Sequence, residues 1–197
     1  MTTTLYRFDD PRVFPVLQGE SSVRGSVATR LVGMGGPRLQ TWGSDSRNHA
    51  PRSEGPGPPP YLQLLWKRLD ADPPEPEIVM GLPFRAIEGA AQRLMLDVYG
   101  DAGGSHLYIE AGDASGWGFA CSFGVVDFTG WRTCHADARD PCEFWGAHTA
   151  STWTGIASPL QLHRLRIMLA KAGKELDLRF ATLTITGDVR IANPGVA

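Results

Sequence analysis

The chain has 197 residues, 42% of them apolar and 20% charged, with a formal net charge of −2. That length allows one domain with a full core, spanning 1–197. The balanced charge excludes a global basic field for nucleic acid, and the apolar runs are too short to span a bilayer, so neither nucleic acid nor a membrane is an expected partner.

In chain order, Leu5–Phe8 reads as a short strand stopped by Asp9, Asp10 and Pro11. Val23–Val32 has the β-branched content of a second strand or pair, and Arg38–Trp42 follows the turn Gly33–Pro37. Residues 43–60 are rich in Ser, Gly, Pro and Arg and read as a long mobile surface loop. Tyr61–Leu69 is strand-like. Ile78–Ile87 gives one or two strands broken by Gly81 and Pro83, and Glu88–Arg93 is expected to form one helical turn.

The clearest pattern runs from Leu94 to Trp131. Leu94, Leu96 and Val98 alternate with Met95, Asp97 and Tyr99; Leu107 and Ile109 alternate with Tyr108 and Glu110. Each run ends in a Gly- and Asp-rich turn, Gly100–Gly104 and Gly112–Gly116. A period of two between such turns marks half-buried antiparallel strands. Gly130–Ala136 continues it. Asp137–Ser158 is irregular, Pro159–Leu169 alternates again, and Leu176–Ile185 and Val189–Ile191 are two closing strands. No stretch reads as a long amphipathic helix. The expected fold is all-β, an antiparallel β-sandwich or jelly roll.

Taken together, the order of these strands and turns resembles the galactose-binding-like jelly rolls. The segments that carry the resemblance are Leu5–Asp10, the two glycine–aspartate turns, Val125–Arg132, Pro159–Leu169 and Leu176–Ile185. In particular it resembles the carbohydrate-binding modules attached to bacterial polysaccharide-active enzymes. The resemblance implies a non-catalytic module that binds carbohydrate, with catalytic domains of a larger protein as partners. It also implies a structural calcium near the first and last strands, and no other cofactor. Asp9, Asp10 and Glu20 offer the oxygen ligands calcium prefers. The matching part of the last strand, Phe180–Ala181–Thr182, lacks the acid such modules often carry there.

Sugar C–H faces stack on aromatic rings, and sugar hydroxyls need polar partners, so a binding face combines the two. If the alternating aliphatics form the core, Asp97, Tyr99, Tyr108 and Glu110 lie together on the opposite face and are the leading ligand residues. Trp145 and Trp153, in the irregular segment, are further candidates, although a tryptophan there also serves to anchor a loop. Trp117 opens a strand and suits either role. Trp131 is expected to pack in the core or at its rim.

Two other classes compete. A polysaccharide lyase or glycoside hydrolase needs paired carboxylates or a Tyr/His pair, for which Asp97, Glu110, Tyr108 and His106 are the clustered residues. No serine-nucleophile elbow, phosphate loop or dinucleotide fingerprint accompanies them. A protein-interaction domain would instead show a flat apolar patch. Zinc is not expected, because Cys134 and His135 point to opposite faces of a strand. Cys121 reads as a small buried hydrophobe, and pairing of Cys134 with Cys142 is left open. Met1–Asp10 has no signal-peptide pattern, which places the chain in the cytoplasm unless it is a module of a larger exported protein.

Overall fold

The computed structural model describes residues 1–8, 10, 16–17, 27–32, 38–42, 60–70, 72–73, 76–116, 118–145, 153–170 and 175–192. They form thirteen strands: β1 (Thr2–Arg7), β2 (Val16–Leu17), β3 (Val27–Val32), β4 (Arg38–Trp42), β5 (Tyr61–Lys67), β6 (Glu77–Gly81), β7 (Ala86–Asp101), β8 (Ser105–Gly112), β9 (Gly118–Val126), β10 (Thr129–Asp137), β11 (Glu143–Trp145), β12 (Leu160–Met168) and β13 (Glu175–Ala192). No helix occurs among the described residues.

Every pairing is antiparallel and links all thirteen strands into one network, which divides into two sheets at a single short link. The first runs β4–β3–β5–β13–β7–β10, with β1 beside β13 beyond the end of β5. The second runs β2–β6–β12–β8–β9–β11. Among the described residues they are joined by the pairs Leu160–Ile87 and Gln161–Ala86. From β5 onward the chain crosses between the sheets at most connections, which is the winding of a jelly roll.

The alternation explains the packing. Leu62, Leu64 and Trp66 of β5, Leu94, Leu96 and Val98 of β7, and Leu178, Phe180 and Ile185 of β13 are buried. They share one core with Leu107 and Ile109 of β8, Phe119 and Cys121 of β9, and Leu165 and Ile167 of β12. The intervening residues face outward, so the sandwich has two outer faces separated by its core.

Several expectations change. Glu88–Arg93 is not a helical turn but part of β7, paired with Arg190 through Thr186 of β13. The two closing strands are one strand, β13. Both long strands bend at a register shift where Gly89 (φ +99°) and Gly187 (φ +140°) lie close together. A Cβ on Gly89 would strike the Asp188 carbonyl oxygen, and one on Gly187 the Ala90 carbonyl oxygen. The irregular segment Asp137–Ser158 contains β11. All three cysteines are free thiols. Cys134 lies in the first sheet and Cys142 donates its N–H to Ala120 in the second, so no bridge joins them. Most of the expected loop, 43–59, lies outside the described residues.

Candidate functional site

The outer face of the first sheet gathers the densest set of aromatic and polar groups. In register across the sheet stand Trp131 of β10, Tyr99 of β7, Arg179 of β13 and Gln63 of β5. The Trp131 ring meets Tyr99 edge-on at 5.7 Å and Tyr61 at 5.8 Å between centroids. The Arg179 guanidinium lies 4.4 Å from the Tyr99 centroid and 5.3 Å from that of Tyr61. Asp177 holds this cation at 3.2 Å and accepts a hydrogen bond of 2.8 Å from Gln63 Nε2. Burial works against the charged guanidinium. The hydrogen bond and charge of Asp177 outweigh it and raise the Arg179 pKa further.

Asp97 stands one row along. Its two carboxylate oxygens accept hydrogen bonds from Thr133 of β10 at 2.7 Å and Thr182 of β13 at 2.6 Å. The carboxylate therefore ties β7 to both neighbours.

Tyr108 and Glu110 do not join Asp97 and Tyr99. β8 pairs with β9 and β12, not with β7, so these two residues face outward from the second sheet. The expected four-residue face is thus two faces. Its premise was that consecutive alternating strands form one hairpin, whereas the chain crosses the sandwich at Ala102–Gly104. The grouping of Asp97 with Glu110, Tyr108 and His106 for catalysis falls for the same reason.

On the second face, Glu110 has 6% of its side chain exposed and is clasped by Arg164 and Arg166. Arg166 also binds Glu143 and lies 4.7 Å from the Tyr108 ring centroid. Its Nε lies 3.2 Å from Glu110 yet lacks hydrogen-bond alignment, so that contact is Coulombic. His106 stacks on Tyr108 at 4.3 Å, with Nδ1 3.0 Å from the Tyr108 hydroxyl and Nε2 2.6 Å from Ser122 Oγ. Burial pushes the Glu110 carboxyl and the Tyr108 phenol up and the His106 imidazole down.

Trp153 packs edge-on against Phe119 and beside Phe144, both at 5.2 Å, and so anchors its segment to the core. Trp145 stands exposed on β11. Trp117, Asp9 and Glu20 lie outside the described residues. Asp10 is half-buried just after β1 and donates its N–H to Arg7. Among the described residues no group of three or more His, Cys, Asp or Glu is placed to hold a metal. Of the three expected calcium ligands only Asp10 is among the described residues.

Tyr61, Gln63, Asp177, Arg179, Thr133 and Thr182 were not singled out from the sequence, and Trp131 was read as packing. Alternation in Tyr61–Leu64 and Leu176–Phe180 does mark the outward residues. Which strands adjoin was the missing information.

No family model matches the chain, and no curated protein matches it. Solved structures do. The family 11 carbohydrate-binding module of the cellulosomal cellulase Lic26A-Cel5E of Clostridium thermocellum is 12% identical, over 95% of each chain, with a TM-score of 0.48. The family 11 module from Clostridium thermocellum in complex with a β-1,3-1,4-mixed-linked tetrasaccharide is 12% identical, over 94% of this chain and 95% of that one, at 0.46. The solution structure of CtCBM11 is 13% identical, over 96% of each, at 0.49.

Proposed function

We propose that this chain is a non-catalytic carbohydrate-binding module that receives its ligand on the outer face of the first sheet. One observation carries the reading: Trp131, Tyr99 and Arg179 form a continuous aromatic–guanidinium patch over the buried Tyr61 ring, flanked by Asp97, Asp177 and Gln63. Rings supply stacking for sugar C–H faces, and the fixed carboxylates, amide and guanidinium supply partners for hydroxyls. These polar groups are already held by one another and by strand pairing, so little ordering entropy is lost on binding. A patch of this size suits affinities from about micromolar to about millimolar.

The test is a thermal-shift screen against soluble glucans, xylans and mannans, with and without calcium. The mixed-linked tetrasaccharide seen with the similar module is included. A ligand of the folded state raises its apparent stability by mass action. A glycan-specific shift that is reduced in Tyr99→Ala and in Trp131→Ala is the expected result. An equal shift in parent and both variants removes this face from the proposal, and no shift with any glycan removes the function.

A further inference from the structure

We infer that the outer face of the second sheet carries an independent second site for a neutral glycan, built around Trp145. Trp145 of β11 pairs with Gly118 of β9, whose neighbour across β8 is Gly112, followed by Gln161 of β12. A Cβ at Gly118 would run into Nε1, Cδ1 and Cε2 of the Trp145 indole together. Contact with three contiguous ring atoms means that the indole turns its face, not its edge, onto the strand. Trp145 nevertheless keeps 38% of its surface exposed. A flat ring lying on bare backbone, with its other side toward solvent, has the form of a stacking platform.

The adjoining row supplies hydrogen-bonding groups. Glu143, two residues back on the same face of β11, has 41% of its side chain exposed, and Arg164 of β12 has 28%. Both are fixed from below, since Glu110 grips Arg164 and Arg166, and Arg166 grips Glu143. Strands spaced about 4.8 Å apart put Gln161, two strands beyond Gly118, about 10 Å from the ring, with Arg164 in the next row. That separation suits an oligosaccharide rather than one sugar. Within this cluster the guanidiniums of Arg164 and Arg166 face the carboxylates of Glu110 and Glu143, with Glu77 also in Coulombic reach, so no positive charge is left to recruit an acidic polymer. The complementary ligand is neutral and rich in hydroxyls. This site stands apart from the first, with the whole core between them.

Native affinity electrophoresis in gels containing mixed-linked β-glucan, hydroxyethylcellulose, xylan or galactomannan tests it. The variants are Trp145→Ala, Gly118→Ala, Trp131→Ala and the double variant Trp145→Ala/Trp131→Ala. Gly118→Ala retains every atom of the indole but displaces it, at a position without a positive φ. Each protein is checked for native circular dichroism. The expected result is that Trp145→Ala and Gly118→Ala each weaken retardation by one polysaccharide about tenfold. Trp131→Ala retains that component, and the double variant migrates as in an empty gel. If Trp145→Ala and Gly118→Ala are retarded like the parent while Trp131→Ala is not, the second site falls and the first stands. If Trp131→Ala is retarded like the parent in every gel and Trp145→Ala is not, the first falls and the second stands. A parent that no gel retards removes both. A parent dimer in light scattering that Trp145→Ala abolishes would give the ring to self-association and overturn the inference.

Discussion

Cys121, Cys134 and Cys142 show how far environment separates identical side chains. Burial pushes the Cys121 thiol up to about 12 and raises the other two as well. Cys142 alone among them reaches solvent. Thiolate fraction and access together set reaction rate. A disulfide-exchange reagent at pH 8 should therefore modify one thiol per native molecule, and Cys142→Ser should remove that reaction. Two or three fast thiols in the native protein would contradict the packing. The two glycine–aspartate turns give a second lesson at this scale. Asp101 accepts from Gly103 N–H with one oxygen and from Asp177 N–H, on a distant strand, with the other. Asp113 repeats this with Ser115 and Ala157. The local half of each pair was legible, because aspartate followed by glycine or serine signals a turn. The distant half was not, because no local pattern names the strand or segment that the second oxygen reaches.

Strands were the most readable elements, since a period of two follows from the pleat itself. Arg38–Trp42 was foreseen residue for residue, and Leu94, Leu96 and Val98 fell on the inner face as expected. Adjacency was not readable, and this is why Tyr108 and Glu110 were placed beside Asp97. Glu88–Arg93 misled for a related reason: its local helix preference yields to a ladder of pairs with β13, interrupted by one register shift. The bend in that ladder rests on Gly89 and Gly187, whose positive φ and close approach to carbonyl oxygens leave no room for a side chain. Gly187→Ala should cost about 2 kcal/mol or more through strain and collision. Urea unfolding would measure it, and a loss within error of zero would mean that the bend relaxes freely.

At the level of the whole molecule, acid sensitivity follows from the second face. Burial lowers the His106 pKa and Arg166 pushes the same way, while Glu143 opposes them. The unfolded chain then takes up a proton near pH 6.5 before the folded one does. The stability from neutral His106 is complete above that pH and lost as pH falls toward the folded value. Glu110 has the opposite sign: its pKa is raised, so its contribution is present at low pH and declines as pH rises above about 4.5. The melting temperature should thus carry a His106 component that falls as pH drops below about 6.5, and His106→Gln should remove that component. An unchanged pH dependence would remove His106 from the account. The position of β13 bears on another property. It is the last described strand in the chain, yet it lies between β7 on one side and β5 and β1 on the other. On a ribosome adding about 5 to 20 residues per second, β5 and β7 leave the exit tunnel seconds before the strand that must lie between them. Their apolar faces and open edges wait that long. Synthesis, rather than heat or acid, is therefore when this fold is most exposed to aggregation.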